Sequence, residues 1–316
     1  MRHPIPRNMA NTQPVALVVG GSRGIGRQVA IDLANSGYIV AVAAKSTSDA
    51  YDPKVQFPPD GNSPQSTIST VVREIRENGK QASAIKVDVR HYESVSGMLD
   101  EVVKLYGRID AIIYNSGAIW WSSVEDTPFK RFQLMQQVNI EGLYATIQAA
   151  LPHFAGNDWK GRIVVVSPPI YSRFFRGKTA YAAGKIGMSV ITKGLAMDWT
   201  REGKDDMAIT SIWPAVAIES GATRDADRED LRKANIFSEA IMAMLRSPAP
   251  AVNGRLELDE DYLRSDHGVS DFTKYACIAG ASPRRIMPAN LPDLTVAEQD
   301  DEGQRRNSAQ FRSSKL

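Results

Sequence analysis

A single cysteine, Cys277, stands among 316 residues, which excludes a disulfide framework and a cysteine-built metal centre. Histidine is nearly as scarce. His3, His91, His153 and His267 show no metal-ligand spacing. No run of about 18 apolar residues occurs, so no transmembrane helix is expected. Charge of either sign is in no excess, with 38 basic against 36 acidic residues and a net +2. The basic residues are spread out, so nucleic acid is not an expected partner. What is plentiful is apolar material, 43% of the chain. That supplies a sizeable core, in a length that suits one large α/β domain or two ordinary ones.

Short apolar runs alternate with longer amphipathic segments. Residues 15–19, 39–43, 84–88, 111–114, 162–166, 208–212 and 255–258 read as strands. Residues 24–36, 67–78, 93–106, 128–155, 179–201 and 235–246 read as helices. Strands alternating with helices of this length predict an α/β fold, a single Rossmann-type doubly wound parallel sheet with helices on both faces. Ligands of such sheets sit outside the carboxyl ends of the strands. Neither internal repeats nor a linker interrupt the alternation, so residues 14–276 read as one domain. Residues 1–13 read as a disordered leader, and 277–316 as an extension. The long stretch 46–66, rich in Ser, Pro, Asp and Gly, reads as a loop. The chain ends in Ser314-Lys315-Leu316, which predicts a peroxisomal address read by an import receptor.

The first strand runs into Gly20-Gly-Ser-Arg-Gly24-Ile-Gly26, which opens the first helix. Residues without Cβ let backbone approach a pyrophosphate, and a helix N-terminus favours its charge. The whole turn, with Ser22, Arg23 and Ile25, is therefore an expected dinucleotide site. An acid after the second strand would bind the ribose 2′-hydroxyl of NAD. Here Ala43-Ala44-Lys45-Ser46 offers none. Lys45 and Arg23 instead suit a 2′-phosphate, so NADP(H) is the expected cofactor.

Tyr181 and Lys185 lie one helical turn apart in Tyr181-Ala-Ala-Gly-Lys185. Alone, such a pair is commonly packing. A free phenol titrates near pH 10, and a neighbouring cation lowers that value, so the pair also reads as a tuned proton donor and acceptor. Trp120, Trp121, Phe174 and Phe175 flank this region and are candidates for an apolar substrate wall.

In this order, the glycine turn, Asp88-Val89, Asn115-Ser-Gly-Ala118, Asn139, Ser167 and Tyr181-x-x-x-Lys185 resemble the short-chain dehydrogenase/reductase superfamily. Ala43-Ala-Lys45, Val166-Ser-Pro-Pro169 and Asn253-Gly-Arg-Leu-Glu-Leu-Asp-Glu260 resemble its hydroxysteroid dehydrogenase-like subgroup. Members of that subgroup carry a lipid-carrier domain, for which too few residues follow 276. The resemblance implies that Asp88, Val89, Asn115 and Ser220 contact the cofactor. It implies a catalytic set of Asn139, Ser167, Tyr181 and Lys185, with Lys185 also on the nicotinamide ribose and Ser167 on the carbonyl. A homo-oligomer through 128–155 and 179–201 is implied as well. One departure stands out. Pro168 occupies the usual serine position, and Ser167 lies one place earlier, with Ser172 as the other candidate. The expected activity is NADP(H)-dependent carbonyl–alcohol interconversion on a small hydrophobic substrate, with no metal. An enoyl-type reductase and a non-catalytic cofactor-binding scaffold are the alternatives.

Overall fold

In the computed structural model, residues 12–48, 57–58 and 60–293 are described. Seven strands among them carry the apolar runs: β1 Val15–Val19, β2 Ile39–Ala44, β3 Ala82–Lys86, β4 Ala111–Tyr114, β5 Gly161–Val166, β6 Met207–Trp213 and β7 Leu256–Leu258. All pair in parallel, in the order β3-β2-β1-β4-β5-β6-β7. The order reverses between β1 and β4, which opens a crevice at the carboxyl ends of those two strands.

The helices are α1 Gly24–Asn35, α2 Ile68–Glu77, α3 Tyr92–Tyr106, α4 Phe129–Gln136, α5 Gly142–Gly156, α6 Thr179–Arg201, α7 Asn235–Arg246, α8 Ala249–Val252 and α9 Asp259–His267. Successive side chains of a strand point to opposite faces, and each face is apolar here. Ala16, Val18, Val40, Val42 and Ile113 pack with Leu33 of α1, Val72 of α2 and Phe237 of α7. Val15, Leu17, Ile39, Ala41 and Ile112 pack with Leu99 of α3, Leu143 of α5 and Trp199 of α6. Burial on both faces explains why the strands read as continuous apolar runs rather than alternating ones.

Three departures from the sequence reading position the site. The predicted helix 128–155 is interrupted by a π-helical turn, Gln137–Glu141, which inserts one residue into the helical repeat. β3 lies two residues earlier than expected, because Ala82–Lys86 match β2 in register. That leaves Val87 and Asp88 beyond the strand end, where Ser94 Oγ accepts the Asp88 N–H at 3.0 Å. The far edge is longer than expected. β7 runs directly into α9, and the chain returns so that the Ile286 N–H donates to the Ala215 carbonyl at 2.9 Å. No helix of the described residues is long and apolar enough to cross a membrane.

Candidate active site

The turn after β1 tolerates no side chain at two of its glycines. Gly20 sits at φ +89°, and a Cβ there would lie 2.6 Å from the Ser116 nitrogen. A Cβ on Gly26 would lie 2.2 Å from the Gly20 oxygen and 2.6 Å from Asn115 Nδ2. Asn115 makes that closeness structural, since its Nδ2 donates to the Gly20 carbonyl at 3.0 Å. Arg23 caps α1 with backbone only and no side-chain bond, so no capping side chain competes with an anion at this helix N-terminus. Ile25 packs partly into the core behind them. The cradle therefore fits a dinucleotide pyrophosphate.

The loop before α2 closes over this turn. The Gly24 N–H donates to the Gly61 carbonyl at 2.9 Å, and Ser66 Oγ donates to the Ser22 carbonyl at 2.6 Å. Ser220 reaches the same place from the other side, with its Cβ 3.6 Å from where a Gly24 Cβ would stand. Its hydroxyl pairs locally, accepting the Ala222 N–H at 3.3 Å.

Beyond β2 and β3 lies a cluster of charge. Arg90 Nε donates to Asp88 at 2.8 Å, and Lys45 Nζ lies 3.2 Å from the same carboxylate. The Arg90 hydrogen bonds hold the Asp88 carboxyl well below the usual carboxylate range. Val89 beside it is buried. Arg90 joins Lys45 and Arg23 as a third cation at this end of the sheet. Sequence reading missed it, although its place two residues after Asp88 was the available signal.

On the opposite side of the crevice, α6 presents Tyr181 and Lys185, each 3% exposed. Lys185 Nζ donates to the Val166 carbonyl at the end of β5, at 2.8 Å. Asn139 is fully buried at the π turn. Its Oδ1 accepts the Ala118 N–H at 2.9 Å and its Nδ2 donates to the Ala118 carbonyl at 3.1 Å. A Cβ on Gly117 would lie 3.4 Å from Lys185 Nζ and 3.5 Å from Asn139 Oδ1, so the three converge behind the β4 exit. The titration runs opposite to the expected tuning. Burial pushes the Tyr181 phenol above its ordinary value and drives Lys185 down to about 7. Loss of hydration sets both values, because both groups are buried.

Ser167 is placed elsewhere. It is fully buried, and its hydroxyl accepts from Ser189 Oγ at 3.0 Å. Ser189 also donates to the Pro168 carbonyl at 2.6 Å. Ser167 is thus a buried link between β5 and α6. Pro168 holds the usual serine place and has neither N–H nor hydroxyl.

Aromatic rings line the rest. Trp121 meets Tyr181 edge-on with centroids 6.2 Å apart. Phe174 lies 6.1 Å from Tyr181 and 5.5 Å from Trp213. Phe175 packs partly into the same cluster, and Trp120 is half exposed under Arg131. Trp213, at the end of β6, was not anticipated as part of this wall, since it lies one residue beyond the strand expected over 208–212.

Residues 61–230 match the family model described as short chain dehydrogenase. Hydroxysteroid dehydrogenase-like protein 2 of Danio rerio is 31% identical over 269 residues, covering 83% of this chain and 60% of that protein. The chain thus spans about three-fifths of that relative's length. A short chain dehydrogenase from Mycobacterium thermoresistibile superposes with TM-score 0.74 at 31% identity, covering 86% of this chain and 93% of the other. An alcohol dehydrogenase from Thermococcus sibiricus complexed with 5-hydroxy-NADP has the same fold, with TM-score 0.63 at 22% identity over 78% of this chain and 95% of the other. The sheet order, the glycine cradle and these matches together make the chain a member of the short chain dehydrogenase family of oxidoreductases.

Proposed function

We propose that this oxidoreductase is NADP(H)-dependent and moves hydride between the nicotinamide and a carbonyl or alcohol carbon of a hydrophobic substrate, with Tyr181 as general acid and base. The observation that carries the reading is the convergence of Lys185, Asn139 and Gly117 behind the β4 exit, with Tyr181 buried one turn before Lys185 on α6. Arg23, Lys45 and Arg90 favour a cofactor with a 2′-phosphate, and the Thermococcus sibiricus protein was crystallised with 5-hydroxy-NADP. When bound, the nicotinamide supplies the hydride to the carbonyl carbon or takes it back.

The chain's own residues handle the proton and the surroundings. A phenol pushed above its ordinary value stays protonated at neutral pH, which suits it to donate to the carbonyl oxygen as hydride arrives. In the oxidative direction Tyr181 must first be deprotonated, so that direction gains from alkaline pH. Phe174 and Trp213 exclude water beside the phenol, and Trp121 meets it edge-on from a more open side. With Ser167 turned toward Ser189, the phenol is the hydroxyl that aligns the carbonyl. The Ser167–Ser189 pair also favours a second reading, a scaffold that binds cofactor without turnover.

A panel of apolar ketones with NADPH separates the two. Tyr181→Phe is expected to lower kcat about 10²–10⁴-fold while the NADPH dissociation constant changes little. Tight NADPH binding without turnover in the unmodified protein would replace the enzyme reading with the scaffold. NADPH is expected to bind more tightly than NADH; the reverse order would overturn the role of the three cations. The proposal extends to a peroxisomal address on Ser314-Lys315-Leu316, which lies outside the described residues. An N-terminally tagged chain cut before Ser314 is expected to stay cytosolic, and continued import would remove that part.

A further inference from the structure

Lys178 precedes Tyr181 by one helical turn and caps α6. Its Nζ lies 4.7 Å from the Phe174 ring centre and 5.5 Å from that of Trp121. These are the two rings that flank the Tyr181 phenol, at 6.1 and 6.2 Å. The ammonium is therefore held against the two rings that flank the buried phenol. Among the described residues no carboxylate pairs with it, and its partial burial lowers its pKa through lost hydration. Two aromatic faces return only part of the lost hydration to a cation, so the charge is left under-compensated.

The neighbourhood adds charge of the same sign. Arg131, on α4, lies 4.7 Å over the half-exposed Trp120 ring. The Trp120–Trp121 loop carries two acids further on, exposed Glu125 and Asp126, and Asp126 accepts from Ser123 Oγ at 2.8 Å. Trp121 stays 54% exposed and Trp120 36% exposed, leaving an apolar wall open beside the two cations. An apolar wall with an unpaired cation above an acid–base phenol complements a molecule that is apolar along its length and negative at one end.

We propose that the substrate is an apolar keto acid or hydroxy acid, whose carboxylate is bound by Lys178 while its carbonyl or alcohol carbon lies against Tyr181. This rests on the reading of Tyr181 as the acid–base residue, and it narrows the substrate from hydrophobic carbonyl compounds to those carrying a carboxylate. Trp120 and Trp121 cover the apolar chain. Arg131 adds long-range attraction at the rim.

The test pairs keto acids of increasing ketone-to-carboxylate spacing with their methyl esters, under NADPH. At the best spacing, kcat/KM for the acid is expected to exceed that for the ester by about tenfold or more, the scale of a charge-assisted hydrogen bond. Lys178→Gln is expected to lower kcat/KM for the acid at least about tenfold more than for the ester, and Lys178→Arg to restore most of the difference. Equal use of acid and ester by the unmodified protein overturns the proposal. So does an equal loss for both in Lys178→Gln, which would make Lys178 a packing residue. Binding of the same acids, read by quenching of tryptophan fluorescence in the Tyr181→Phe variant, separates recognition from chemistry. Retained acid binding that Lys178→Gln abolishes upholds the carboxylate site even if the role of Tyr181 fails. Absence of acid binding at every spacing overturns the site.

Discussion

Lys185 is a cation whose surroundings oppose its charge. Desolvation brings it from the usual lysine range to about 7, and among the described residues the Val166 carbonyl alone accepts from it, at 2.8 Å. The sign of its pH effect follows. With the folded-state value depressed, the unfolded chain binds more protons between about pH 7 and 10, so stability rises with pH across that window. Below pH 7 the cost of the buried charge is fully present. Lys185→Met removes that cost but leaves the Val166 carbonyl without its donor, so the height of the curve is mixed while its slope is not. In the cofactor-free protein, the melting temperature of Lys185→Met minus that of the unmodified protein is expected to be largest near pH 6–7. It should shrink by several degrees toward pH 10, at roughly 2–4 °C per kcal/mol for a chain of this size. Parallel profiles would show that Lys185 is charged and compensated by other means. Spacing made Tyr181 and Lys185 legible in the sequence, because four residues on a helix share a face whatever surrounds them. The protonation of the pair was not legible, since it depends on water excluded by Trp213, Phe174 and the β5 exit. The bond that Ser167 makes with Ser189 was not legible for a similar reason. Sequence order carries a side chain to a neighbourhood but does not turn it, and Pro168 with Ser189 sets its direction.

At the scale of elements, the strands were the most legible part. Their continuous apolar runs follow directly from a sheet buried on both faces. Boundaries shifted where pairing rather than pattern decides, as at β3, whose limits follow β2. The single helix expected over 128–155 shows a limit of periodicity. A π turn at Gln137–Glu141 preserves apolar spacing closely enough to read as one helix, yet it carries Asn139 onto the Ala118 backbone. That clamp positions Gly117, against which Lys185 lies. An irregular helix thus does for the β4 exit what Asn115 does for the β1 exit, and each fixes a backbone turn at one side of the crevice. α9 was illegible because its first turn, Asp259-Glu-Asp261, reads as a polar loop. Those acids are favourable at a helix N-terminus, a position the sequence alone did not mark. Lys178 read as nothing at all, and only the two rings around it give it a role.

Taken as a whole molecule, the chain is nearly neutral at +2, so its response to pH is set by a few buried groups rather than by overall repulsion. One of them ties together three segments at the β7 side of the sheet. Asp259 is 1% exposed, and its Oδ1 accepts the Ala215 N–H at 2.8 Å and the Glu260 N–H at 2.7 Å. Ala215 in turn accepts the Ile286 N–H, and Arg285 holds Asp261 at 2.8 Å. The exit of β6, the start of α9 and the returning chain therefore meet at this carboxyl. Its Oδ2 is buried with no partner among the described residues, and burial pushes the group up to about 7. A carboxyl with a raised folded-state value lends stability that is fully present below about pH 4 and is lost as pH rises through about 7. Asp259→Asn keeps an acceptor for the two N–H groups and cannot ionise. The midpoint difference, variant minus unmodified protein, is expected to grow as pH rises from about 4 to 8, by roughly 2–4 °C for each kcal/mol of lost cost. A difference that stays flat with pH would mean that Asp259 is already ionised at pH 4, with Arg232 and the two N–H groups fully offsetting its burial. A variant uniformly less stable at every pH would mean that the charge itself fastens β6 to α9. Because Glu257, which burial also raises, and Asp88 and Asp266, whose values are lowered, are common to both proteins, the difference isolates Asp259 from them.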